Sequence, residues 1–205
     1  MEIRTPVVAI LVLITLIVFY LRKTKPQLSS SRVFFAFLTM AFINILSEIT
    51  ECYVFVYLGG SYNSLRHGVQ YFYVGSLLVC TYTITIYVYS KLTAKRSVST
   101  KVSAILAIPL IIGITSLFVG KAHYGRTETG FYYNFGSMIQ ICYVIGFLYL
   151  FGIVTALVVF RSRLRKEDFI ALLLGTFVWV FLAGYQYINK GIQVSSIAMM
   201  LMALI

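Results

Sequence analysis

The stretch PVVAILVLITLIVFYL, residues 6–21, carries no charge and runs straight into RKTKPQLSSSR, residues 22–32. That unit decides the class of the chain. As a helix the first part rises about 24 Å, close to the thickness of a bilayer's hydrocarbon core. The second part holds Arg22, Lys23, Lys25 and Arg32, the kind of basic cluster that flanks a span on its cytoplasmic side. Working outward, further apolar runs occupy residues 33–58, 68–89, 102–119, 137–160, 169–188 and 192–205. Basic clusters recur after every second run, at Lys91, Lys95, Arg96 and Lys101, then at Arg161, Arg163, Arg165 and Lys166. The other connections hold only Arg4, Arg66, Lys121, Arg126 and Lys190. Backbone groups in lipid must bond within their own segment, and strands of a barrel alternate in polarity, so continuous apolar runs predict helices. The expectation is an all-α membrane protein, a single transmembrane input domain over residues 1–205 with seven helices. Its N-terminus lies outside and its C-terminus inside.

The composition agrees. Of 205 residues, 60% are hydrophobic and 11% charged, and the mean hydropathy is +0.91, far too apolar to cover a soluble globule. A net charge of +11 would suggest nucleic acid in a soluble domain. Here the charge sits in loops at the membrane surface, where topology and anionic headgroups account for it, so no nucleic-acid partner is expected. Cys52, Cys80 and Cys142 fall inside apolar runs without CxxC or metal-ligand spacing and read as packing residues. The seventh run, 192–205, is short of a full crossing and reads as a helix truncated before the cytoplasmic face. Pro109, inside the fourth run, removes the hydrogen bond to the carbonyl of Ile105 and predicts a kink.

Polar residues in the spans are the candidates for function. Glu48 and Glu51 lie inside the second run, where an ionisable group is expensive and normally faces the bundle interior. Asn44, Glu48 and Glu51 stand at i, i+4 and i+7, on one helix face. Glu48 is roughly 22 Å along its helix from the cytoplasmic end, hence in the outer half. The next span starts on that side with Arg66, His67 and Gln70, so an antiparallel pairing could bring His67 or Arg66 towards Glu51. Gln186 lies at the same level of the sixth run. Tyrosines and phenylalanines crowd this side too, at Tyr53, Tyr57, Tyr71, Tyr73, Tyr132, Tyr133, Tyr185 and Tyr187 among others. Most suit an interfacial belt, and some could line a pocket for a small extracytoplasmic ligand. Three readings of the polar cluster stay open: a structural lock between helices, a ligand or signal site, and a proton path. Catalysis has no motif behind it, for HExxH, Gly-x-Ser-x-Gly and a phosphate-cradling Gly-x-x-x-x-Gly-Lys are all missing. Neither a cofactor nor a metal is expected, and no enzyme activity in this chain.

Several short motifs carry a resemblance. Phe37-Leu38 leads to Asn44, Glu48-Ile49 and Tyr53; Asn63 and His67 open the third run and Tyr87 and Tyr89 close it. Tyr133-Asn134-Phe135-Gly136-Ser137 precedes the fifth run, and Trp179 and Gln186 lie in the sixth. In order and spacing, over about residues 33–205, this resembles the N-terminal multi-pass membrane sensor region of bacterial GGDEF (diguanylate cyclase) proteins, itself related to the seven-helix input region of sensor histidine kinases. Lys190 stands where that family usually has proline, and Glu48 where aspartate is commoner. The resemblance implies a sensory module in the cell membrane that passes a cue to a cytoplasmic GGDEF-type or kinase output domain outside these residues. Its partners would be the lipid bilayer, a small extracytoplasmic ligand, that output domain and a second copy of the chain. A small proton-coupled transporter using Glu48 and Glu51, or a non-catalytic membrane subunit, is the alternative.

Overall fold

The computed structural model describes residues 4–23, 29–57, 63–93, 99–126, 132–189 and 194–204. They form helices α1 (Arg4–Lys23), α2 (Ser29–Tyr57), α3 (Asn63–Leu92) and α4 (Thr100–Val119), strands β1 (His123–Arg126) and β2 (Tyr132–Phe135), and helices α5 (Ser137–Val159), α6 (Lys166–Ile188) and α7 (Ser195–Ala203). A 3₁₀ turn at Arg161–Arg163 joins α5 to α6. The first six helices are each long and apolar enough to cross a membrane, which marks a multi-pass membrane protein. α1 to α4 and α6 outrun their apolar runs by two to five residues at one end or both, because a helix continues through polar residues once it has left the hydrocarbon, whereas α5 stays within its run. Within the seventh run, of which residues 194–204 are described, the helix is the nine-residue α7, which rises only about 14 Å and is too short to cross by itself.

Five helices close a ring, in the order α2, α3, α5, α6, α7 and back to α2. Outside it, α1 lies along α2 and α7, and α4 lies along α3 and α5. The ring's interior is the main core, with Phe37, Ile45, Ile84, Ile153, Leu157, Met199 and Met202 fully buried. α4 shows how little contact an outer helix needs. Only Gly113, Ser116 and Leu117 are buried on it, and Gly113 brings its backbone against Leu78 and Ile145. Its other faces expose Ile105, Ile108, Ile111 and Phe118, as a bilayer permits. α4 continues as a helix through Pro109, and the Tyr149 hydroxyl donates to the carbonyl of Leu106, one residue beyond the carbonyl that proline leaves without its donor, at 2.6 Å.

Several threonine hydroxyls in the spans are satisfied locally. Thr81 and Thr85 on α3 and Thr176 on α6 each donate to the carbonyl four residues back, so they sit in apolar surroundings without an interhelical partner. At one end of the bundle Lys91 on α3 meets Asp168 at the start of α6, 3.8 Å apart.

The hairpin is the element the all-helical expectation lacked. β1 and β2 pair antiparallel, His123 opposite Phe135 and Arg126 opposite Tyr132. Gly136 anchors it: its φ is 124°, and a Cβ there would collide with the Lys121 carbonyl. The Lys121 N–H in turn donates to the Ser137 hydroxyl at 3.1 Å, and the Met138 N–H to the Lys121 carbonyl at 3.4 Å. β2 is thereby held over the mouth of the ring at the start of α5.

Candidate functional site

The period-3.6 face of α2 is buried as a unit: Asn44, Glu48 and Glu51 all have zero exposure. Each meets a different element. Asn44 Nδ2 donates to the Tyr73 carbonyl at 3.1 Å and to the Ser76 hydroxyl at 2.9 Å, and Ser47 lies 3.2 Å from Ser76, which fastens α2 to α3. Glu48 reaches α7. The Ser195 hydroxyl donates to Glu48 Oε2 at 2.7 Å, and the Tyr73 hydroxyl lies 2.6 Å from the same Ser195 oxygen. A serine hydroxyl has one hydrogen, and here it goes to Glu48, so Tyr73 is the donor of the second bond. Ser196 lies beside the carboxyl as well, although neither its hydroxyl nor Glu48 Oε1 completes a well-formed bond. Glu51 reaches the hairpin, accepting from Asn134 Nδ2 at 2.9 Å. One helix face thus gathers α3, α7 and β2.

Between α3, β2, α5 and α6 is a cavity of about 360 Å³. α3 contributes Gln70, Tyr73, Val74, Leu77, Leu78 and Thr81, a stripe at helical spacing. β2 contributes Asn134 and Phe135, α5 Gln140, Tyr143, Gly146, Phe147 and Leu150, and α6 Trp179, Ala183, Gln186 and Tyr187. Most of the polar members, among them Gln70, Asn134, Gln140 and Gln186, lie towards the hairpin end, whereas Leu77, Thr81, Leu150 and Trp179 lie deeper. Gln70 is fully buried, and neither its amide nitrogen nor its amide oxygen has a hydrogen-bond partner; the same holds for Asn134 Oδ1. Gln186 Oε1 accepts from the Val194 N–H at 3.2 Å, which ties the end of α6 to the start of α7. Tyr143 lies against the Gln186 side chain.

The six candidates therefore divide. Gln70 and Gln186 line the cavity. Asn44, Glu48 and Glu51 do not; they stand behind its wall, connected to it through Tyr73 and Asn134. His67 is partly exposed, packs against Tyr71 with ring centroids 6.1 Å apart, and is not a lining residue. Arg66 covers the Phe55 ring at 4.5 Å. The pocket expected over Glu48, Glu51 and His67 lies instead between α3, α5 and α6, because the α2 face is buried and taken up by bonds to α3, α7 and β2. Sequence reasoning missed Ser195, Tyr73's double role and Asn134. Their partners are distant in the chain, up to 147 positions for Ser195 and Glu48, and no local pattern encodes such a pairing. Among the described residues no group of His, Cys, Asp or Glu could hold a metal ion. Compared with known proteins, the chain matches no family model and no curated protein.

Proposed function

We propose that this chain is the membrane-embedded sensory module of a bacterial signalling protein. A small molecule occupies the cavity within the ring, and its presence moves α7, which leads to a cytoplasmic output domain of GGDEF or kinase type. The hairpin end faces outward and the basic loops face the cytoplasm of the cell membrane. The observation that carries this reading is Tyr73. Its ring is part of the cavity wall while its hydroxyl holds Ser195 at the start of α7. A ligand pressing on that ring discriminates between two positions of α7, and its differential affinity for them is all the work the signal requires.

Tyr73→Phe removes the hydroxyl and keeps the ring. With a cyclase or kinase reporter fused after Ile205, this variant should change the basal output while its amount in the membrane stays that of the wild type. Unchanged output, combined with substrate-driven proton uptake into proteoliposomes that is lost in Glu48→Gln, would replace the sensory reading with that of a proton-coupled permease.

A further inference from the structure

We infer that the cavity is a binding site for an uncharged amphipathic small molecule, with a hydrogen-bonding head such as a carboxamide or hydroxyl and an apolar body. It deepens the sensory reading by giving the chemistry of the cue.

Three observations carry it. First, the head site is chemically incomplete. A buried amide with neither atom bonded is a rare and costly arrangement in a folded protein, and Gln70 is one, with Asn134 Oδ1 a second unsatisfied acceptor in the same wall. Together they offer one donor group and two acceptors, which a carboxamide or hydroxyl complements. Second, the body site is apolar and roomy. Leu77, Phe147, Leu150 and Trp179 line it, and a Cβ added at Gly146 would meet nothing within 4 Å. At about 360 Å³ the space falls in the range of roughly 300–1,000 Å³ where small organic ligands bind. Third, none of the lining residues is Asp, Glu, Lys, Arg or His. A charged ligand would enter a low-dielectric space without a counter-ion, which selects against carboxylates and amines. Water alone suits the hairpin end but not the deeper walls, where it would lack the two to four polar partners that hold a buried water.

The test uses the full chain in lipid nanodiscs and a photoreactive eight-carbon alcohol carrying a diazirine, with adducts mapped by mass spectrometry. Labelling should saturate and map to the cavity stripe of α3 and to α5 around Phe147. Octanamide should compete, and octanoate, charged at pH 8, should be weaker by tenfold or more. Gly146→Leu, which fills the space, should abolish the saturable labelling without lowering the melting temperature, and Gln70→Leu should weaken it about tenfold, the effect of one lost hydrogen bond. Labels confined to the lipid-facing positions Phe118, Phe151 and Phe181 and indifferent to Gly146→Leu would overturn the site. Equal competition by octanoate would overturn its selection for uncharged heads. Bilayer and water are both routes of entry for the alcohol; labelling that tracks its lipid-to-protein ratio rather than its aqueous concentration identifies the bilayer as the source. Binding is read apart from signalling: saturable labelling with constant reporter output removes the sensory reading and leaves the site, whereas output that responds to Tyr73→Phe without saturable labelling removes the site.

Discussion

Glu48 shows what an acidic residue can do at the centre of a membrane bundle. Its carboxyl is fully buried, bonded on one oxygen to Ser195, and stands between α2, α3 and α7. A neutral amide of the same shape keeps an acceptor for Ser195, so Glu48→Gln should alter stability by no more than about 1 kcal/mol. Glu48→Lys replaces an acceptor with a longer cation facing donors, and a lysine at the centre of a span costs about 2.5–3.5 kcal/mol. Thermal melting in detergent checks both: the lysine variant should melt well below the wild type and the glutamine variant close to it. Equal melting temperatures for the lysine variant and the wild type would mean that position 48 faces water. The face that carries Glu48 was legible in the sequence, because three polar residues at i, i+4 and i+7 in an apolar run share one side of a helix whatever lies opposite. What lies opposite was not legible. Ser195 sits in an ordinary Ser-Ser pair, and nothing near it in sequence distinguishes it from Ser47 or Ser90.

Among the elements, the long helices were readable because hydrophobic continuity over a span is a physical requirement of lipid, and their ends were less so because a helix does not stop where the hydrocarbon does. The hairpin escaped for a different reason. Its strands have four residues each, too few for alternation to show, and its aromatics resemble an interfacial belt. A weak signal was present: the aromatic run Phe131-Tyr132-Tyr133-Asn134-Phe135 lies between Gly130 and Gly136, a few residues after Tyr124-Gly125. Gly136 is where the hairpin can be tested. An alanine there must adopt φ near 124° beside the Lys121 carbonyl, and strained backbone of this kind costs about 1–3 kcal/mol before the collision is counted. Gly136→Ala should lower the melting temperature and, by displacing β2, loosen the Asn134 bond to Glu51. Gly152→Ala on α5 is the control. Its Cβ would meet nothing, and alanine gains about 1 kcal/mol over glycine in a helix interior, so that variant should melt at or above the wild type.

For the whole molecule, the ring and the charge pattern answer different questions. Packing places α7 between α6 and α2 and puts the hairpin at one end of the bundle and Lys91, Arg165 and Asp168 at the other. A bundle in isolation has no inside or outside, so its direction in the membrane comes only from the charge pattern of the sequence, in which twelve of the seventeen basic residues fall at the α1–α2, α3–α4 and α5–α6 connections. A cysteine introduced at Ser99 or Ser162, both exposed at that basic end, should react with a membrane-impermeant thiol reagent only when the cytoplasmic side is accessible. A cysteine at Thr127, between the two strands, should react only from outside. The native thiols do not confuse the measurement, since Cys52, Cys80 and Cys142 are all buried within helices. Labelling of all three positions from one side would contradict the crossing pattern itself. Labelling with the sides exchanged would keep the bundle but turn it over, moving the mouth of the cavity to the cytoplasm and making any cue an intracellular one.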